Sequence, residues 1–146
     1  MCLGVWSVES AADTAAPCSA LWELLADPTG WTRWNPTVAS VEFDGPLAEG
    51  VSGVFKPRSG PRAKVVVRDV RVGRGFTTVS QMPGAKLRVV HELVVLPTGG
   101  ARVIERSVLE GALSQIWGLI LGRQFARDMR GAVQGLVRVA DAELER

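Results

Sequence analysis

The stretch that most constrains this chain is Ala85 to Gly111, AKLRVVHELVVLPTGGARVIERSVLEG. Both arms alternate with period two around Pro97-Thr98-Gly99-Gly100, which supplies turn chemistry, so the segment predicts a long β-hairpin. One pairing sets Glu92 against Arg106 and Arg88 against Glu110, opposite-charge pairs worth ~0.2–1 kcal/mol each. It sets Val90 against Val108 and Val94 against Ile104 on that same face. The other face then reads Val95/Val103, Leu93/Glu105, His91/Ser107 and Val89/Leu109. That face is apolar apart from His91, Glu105 and Ser107. A slip of one residue would exchange the two faces.

The 146 residues suffice for one domain, 1–146, with a sizeable core. At a formal net charge of +2, whole-chain electrostatics give no reason to expect nucleic acid. Cys2 and Cys18 follow no metal-ligand spacing and read as free thiols in a reducing cytosol. The first ten residues show neither a basic n-region nor a long apolar core, so no signal peptide is expected and the location is read as cytoplasmic. The most apolar run, Gly111 to Gly122, is shorter than the ~20 residues a membrane span needs. Five Trp and no Tyr leave no phenol for acid chemistry.

In chain order, Leu3 to Thr14 reads as a strand with Trp6 and Val8 on one face. Pro17 stands where a helix begins, and Cys18, Leu21, Leu24 and Leu25 make one apolar stripe. Asp27 precedes Pro28 and ends that helix. A short second helix, broken at Asn35-Pro36, carries Trp31 and Trp34. Strands follow at Val38–Asp44, Gly50–Lys56, Arg62–Val72 and Phe76–Met82, with Pro83-Gly84 as a turn before the hairpin. Leu113 to Glu143 reads as one long helix, ~45 Å at 1.5 Å per residue. Its buried stripe is Phe125, Met129, Ala132, Leu136 and Val139, with Arg123, Arg127, Arg130 and Arg138 largely off it. A six-strand antiparallel meander needs a cover for its apolar face, and this helix provides one.

Three stretches carry a resemblance. They are Leu21–Pro36 (helix, Asp-Pro, then Trp-x-x-Trp-Asn-Pro), Pro83–Pro97 (Pro-Gly, then a strand with His-Glu-Leu) and Gly99–Leu113 with the long helix behind it. In these and in element order the chain resembles the SRPBCC superfamily, which holds START lipid-binding and birch-pollen-allergen-like proteins, and it looks most like the bacterial polyketide cyclase/dehydrase branch. The resemblance implies an α+β helix-grip fold, a curved antiparallel sheet of about seven strands around the C-terminal helix. It also implies a deep hydrophobic cavity between them. It does not imply one activity, since members bind lipids, cyclise or dehydrate polyketides, or hydrolyse substrates.

His91, Glu105 and Ser107 form the one polar constellation. In an apolar pocket, burial raises a Glu pKa and lowers a His pKa, while mutual pairing opposes both shifts. Three roles stay open: a hydrogen-bonded pair that orients the sheet, ligand contact, and proton transfer by His91 and Glu105 in a cyclisation or dehydration. A Ser-His-Glu triad is disfavoured because Ser107 sits mid-strand, without a nucleophile elbow. Trp31 and Trp34 are candidates to cap the pocket mouth or to pack the short helices on the sheet. Val89, Leu93, Leu109, Trp117, Phe125 and Met129 complete the expected lining or simply fill the core.

A metal site needs three or four ligands, and one His with two distant Cys does not supply them. The glycines at 73 and 75 join two strands, so no nucleotide fingerprint is present. No cofactor is expected. Lys56 to Arg74 carries seven Lys/Arg and one acid, Asp69, with Arg62, Lys64 and Arg68 on one strand parity and Val65 and Val67 on the other. That reads as a solvated outer face or as a surface for an acidic partner. Gly118/Gly122 and Gly131/Gly135 in the long helix mark close approach to the sheet or room for a ligand.

The leading expectation is a biosynthetic binding protein for a small hydrophobic molecule that is polyketide-, lipid- or terpenoid-like, acting as a monomer or homodimer. A cofactor-independent cyclase or dehydratase using Glu105 and His91 is the first alternative. A protein-interaction module using the basic strand face is the second.

Overall fold

The computed structural model of the chain describes residues 4–145. Cys2 and Leu3, which figure in the sequence reading, lie outside the described residues. The elements run β1 (Val5–Thr14), α1 (Cys18–Leu25), a 3₁₀ turn (Pro28–Gly30), α2 (Trp31–Trp34), β2 (Val38–Phe43), β3 (Ser52–Pro57), β4 (Ala63–Arg71), β5 (Gly75–Met82), β6 (Ala85–Val95), β7 (Ala101–Glu110) and α3 (Ser114–Leu144). The seven strands form one antiparallel sheet in the order β1-β7-β6-β5-β4-β3-β2. β1 pairs with β7, so the first strand closes onto the last. The fold is α+β and helix-grip, a curved sheet wrapped on a long C-terminal helix, as the resemblance implies.

The β6–β7 hairpin has the expected faces and a different register. His91 stands opposite Glu105, Val89 opposite Ser107, Leu93 opposite Val103, and Val95 opposite Ala101. Every partner is displaced by two residues from the sequence-based pairing. The turn explains it. Leu96 accepts from the Gly99 amide at 3.0 Å and donates to the Gly100 carbonyl at 2.9 Å. Pro97 fills the turn position where its fixed φ fits, and Gly99 takes the left-handed φ of 89° that follows. The reversal therefore centres on Thr98. An even displacement keeps each side chain on its face and changes only its partner. Arg88 still reaches Glu110 diagonally, at 2.7 Å. Arg106 pairs with Glu9 on β1 instead of Glu92, and Arg102 forms a two-point pair with Asp13 at 2.7 and 3.0 Å. The Arg102 and Arg106 pairs are exposed and contribute little stability, and the Arg88–Glu110 pair is part-buried.

The core forms where α1, α2 and the second half of α3 meet the inner face of the sheet. Leu21, Leu25, Val67, Phe76, Val133 and Leu136 are almost fully buried there. In β4, Lys64 and Arg68 are exposed while Val65 and Val67 are buried, so the alternation in the basic run marks an outward polar face. Thr14, at the end of β1, donates to Asp141 and accepts from the Ala16 amide at 3.0 Å, which ties that strand to the end of α3.

The helix glycines serve close approach. A Cβ on Gly118 would lie 2.5 Å from the Trp6 indole, and one on Gly122 2.9 Å from it. At Gly135 it would overlap the backbone carbonyl oxygen of Trp34, an atom that cannot rotate away. Gly131 faces only Pro36, at 3.4 Å. Gly135→Ala should therefore lower the melting temperature by several degrees, the ~1–3 kcal/mol typical of overpacking. Gly131→Ala should be neutral or stabilising, because it gains up to ~1 kcal/mol of helix propensity without a clash. Thermal melts of both decide the matter, and a Gly135→Ala protein that melts at or above the parent would refute the packing account.

Candidate functional site

β6 and β7 place His91 and Glu105 directly opposite one another on the inner face, and β1 places Ser10 on the other side of Glu105. Strand register delivers this, since directly opposite residues on neighbouring strands share a face of the sheet. Glu105 retains only 7% of its surface. No hydrogen bond joins the Glu105 carboxyl to the His91 ring, while the fully buried polar atoms left without a partner among the described residues are Trp34 Nε1 and Ser114 Oγ.

Burial therefore acts unopposed on both groups. It raises the Glu105 carboxyl from 4.5 to about 8, and the negative charge of Asp128 on α3 adds to the rise. It lowers the His91 imidazole from 6.5 to about 4. His91 is stacked on Phe76, with centroids 4.6 Å apart and planes 24° apart, and Trp31 stands 6.4 Å away. Some of its surface remains accessible, so water tempers the effect, while the ring enclosure fixes its direction. At neutral pH the pair is an undissociated acid facing an uncharged imidazole. No ion pair forms between them, because neither group gains enough from the other to offset desolvation.

The remaining residues distribute as follows. Ser107 donates to the Met129 sulfur at 3.2 Å, and both are buried. Leu93 and Leu109 are buried, while Val89 and Phe125 are half-buried. Trp31 and Trp34 belong to the packed core at 5% and 4% exposure. Trp31 stacks on Phe76 at 5.9 Å, meets Phe43 edge-on at 5.7 Å, and donates its Nε1 to the Leu25 carbonyl at 2.9 Å. Trp117, half-buried, donates to the Pro83 carbonyl at 2.8 Å. Side chains thus pack over the neighbouring polar groups: Met129 covers Ser107, and Phe76 covers His91. Two open surface grooves lie elsewhere, one beside Trp6 and one beside Thr14, and neither is lined by Glu105 or His91.

Two residues escape the sequence reading. Phe76 is directly opposite His91 on β5 and is the ring that desolvates it. Strand parity was the available signal, since Phe76 shares a face with Val67 and His91. Asp128 is the charged neighbour of Glu105, and its own carboxyl is raised, chiefly by burial, against the lowering effects of Arg127 and Gln124. Its signal was a carboxylate three residues after Phe125, at the edge of the helix's buried stripe. Among the described residues no group of three His, Cys, Asp or Glu is placed to hold a metal ion.

An acid held protonated near neutrality can donate a hydrogen bond or a proton to a carbonyl oxygen, the first requirement of enolisation and dehydration. An imidazole held near 4 is a weak base at pH 7, so the geometry favours donation over proton abstraction.

Comparison with known proteins follows this architecture. The family profile described as polyketide cyclase / dehydrase and lipid transport matches residues 5–141. The aromatase/cyclase ZhuI from Streptomyces sp. R1128 superposes with a TM-score of 0.76 at 16% identity, covering 96% of each chain. Ara h 8.0201 superposes at 0.75 with 12% identity, covering 98% of this chain and all of that one. A protein from Thermus thermophilus gives 0.74 with 12% identity, over 94% and 99%. At these identities the structural likeness concerns the fold. No curated protein matches in sequence.

Proposed function

The chain belongs to the polyketide cyclase / dehydrase and lipid transport family, and from that premise we propose that it binds a small hydrophobic molecule between the sheet and α3. Polyketide-, lipid- and terpenoid-like compounds fit the chemistry. The observation that carries this reading is Glu105, a carboxyl only 7% exposed and held protonated by burial, set opposite His91 on the mostly apolar inner face. A buried donor left unmade costs ~1–3 kcal/mol. A carbonyl or hydroxyl oxygen on a ligand satisfies it and orients the molecule, while apolar walls supply the affinity. Met129 is suited to yield to such a guest, because its unbranched chain repacks easily and its hold on Ser107 is weak.

Native mass spectrometry of gently purified protein, set against its denatured mass, should show an added small molecule. Glu105→Leu should lower its retention by about tenfold. Undiminished retention in that variant would remove Glu105 from the reading.

Cyclisation or dehydration is the second reading, favoured by one feature, the neutral acid poised near the operating pH. It predicts that Glu105→Gln abolishes turnover while affinity stays within a few-fold. Parallel loss of both would leave binding alone. The low basicity of His91 counts for binding over catalysis.

A further inference from the structure

The outward face of α3 is unlike the solvated face of an ordinary amphipathic helix. Leu113 is 39% exposed, Ile116 54%, Leu119 87% and Ile120 63%. Ile116, Leu119, Ile120, Arg123 and Arg127 follow at i, i+3, i+4, i+7 and i+11, so they share one side of the helix. That side is apolar in its first two turns and cationic afterwards, continuing to the exposed Arg130. No Asp or Glu occurs between Gly111 and Arg127. Arg123, Arg127 and Arg130 have no ion-pair partner within 4.0 Å among the described residues, whereas Arg88, Arg102 and Arg106 on the outer sheet face are all paired. The β3–β4 loop adds exposed Arg58 and Arg62, and it leans on α3 through Gln124, which donates to the Ser59 carbonyl at 3.4 Å. Beside the stripe runs an open groove of 430 Å³, where the Trp6 indole meets Leu119 and Arg123.

We propose that this face docks the protein on the surface of anionic lipid bilayers. A bilayer offers both things the face requires at once: an apolar layer for Leu119 and Ile120, and negative headgroups for the arginines just behind them. Trp6 lies at the same level, where an indole is favoured at a membrane interface. The apolar part lies on the membrane and does not cross it, since no helix among the described residues is long and apolar enough to span. A second copy of the chain is a poorer occupant. Symmetric pairing of this face sets arginines against arginines, with no acid on it to relieve them. The proposal concerns the outside of α3, so it stands or falls whether or not the interior retains a ligand.

The test is sedimentation of the full chain with vesicles of phosphatidylcholine alone and of phosphatidylcholine mixed with phosphatidylglycerol. Binding is expected on the anionic vesicles, weaker on the zwitterionic ones, and reduced by added salt. The double variant Leu119→Asp, Ile120→Asp should lose at least about tenfold in partition. Arg123→Ala should lose about fivefold. These positions are solvent-exposed, so circular dichroism and melting should match the parent. Failure to sediment with either vesicle would overturn the proposal, as would undiminished binding by the double variant. A concentration-dependent dimer that the double variant dissolves, in protein that ignores vesicles, would assign the face to a second copy instead. A salt-sensitive complex with an acidic protein, again without vesicle binding, would assign it to that partner.

Discussion

At pH 8.5, Glu105→Gln should be markedly more stable than the parent protein, with a melting temperature higher by the order of 10 °C. The folded carboxyl titrates at about 8 and the unfolded one at 4.5. Between those values the native state holds a proton that the unfolded state has released. Stability from this group is therefore full below pH 4.5, falls by up to ~1.4 kcal/mol per pH unit above it, and levels off past 8. Glutamine removes the titration and keeps the shape. His91 has the opposite sign. Its folded value of about 4 lies below its unfolded 6.5, so its contribution is intact above pH 6.5 and is lost as pH falls towards 4. Between pH 4.5 and 6.5 the two slopes cancel in the parent, and above 6.5 only the Glu105 decline remains. Glu105→Gln should thus rise in stability from about pH 4 to 6.5 and then stay flat. His91→Gln should instead fall steadily from 4.5 to about 8. Thermal melts of the three proteins across roughly pH 4–9 read this directly as differences, which cancels the other carboxylates. If Glu105→Gln ran parallel to the parent from about pH 6.5 to 8.5, the acid would not be buried and protonated as described. The ligand-binding reading would lose its central observation with it.

The sequence made some of this legible and hid the rest for identifiable reasons. Element order could be read because each strand announces its period and each break carries Gly, Pro or an X-Pro step, as at Asp27-Pro28 and Pro83-Gly84. The inner face of the hairpin could be read because parity is fixed once one face must be apolar. The partner of His91 could not, because the two-residue choice of register depends on how the chain turns at Pro97-Thr98-Gly99, and Arg106 finds its carboxylate on β1 in place of Glu92. Direct opposition of His91 to Glu105, with no hydrogen bond between them, is a property of the folded backbone. So is the outcome of the pKa contest. Sequence reasoning left burial and pairing in balance, and the enclosure of His91 by Phe76 and of Glu105 by packed side chains tipped both groups to neutral. The helix arginines were placed off the buried stripe correctly. That the apolar residues just before them are also off it required the helix's true rotation against β1 and β7.

Phe76→Ala tests the link between that enclosure and the chemistry. Phe76 is 1% exposed and touches Trp22, Trp31 and His91 through aromatic contacts. Truncating a buried phenylalanine costs ~3–5 kcal/mol. At roughly 2–4 °C per kcal/mol, the melting temperature should fall by about 6–20 °C. The second effect is specific. Removing the ring 4.6 Å from the imidazole admits water to His91, so its titration midpoint should climb from about 4 towards the ordinary 6.5. The chain contains one histidine, so a single imidazole proton resonance in an NMR titration reports the shift without assignment. Phe76→Leu provides the control if the alanine variant fails to fold. It keeps most of the apolar volume, loses the stacked face, and should show a smaller stability loss with a shift in the same direction. A midpoint that stays near 4 in a folded variant would mean that the sheet, not the aromatic stack, desolvates His91. A shift would mean that the packing which stabilises this core also keeps the imidazole a weak base. In that case Glu105 acts as donor at neutral pH without a competing base beside it, the condition under which binding a carbonyl-bearing guest prevails over turning it over.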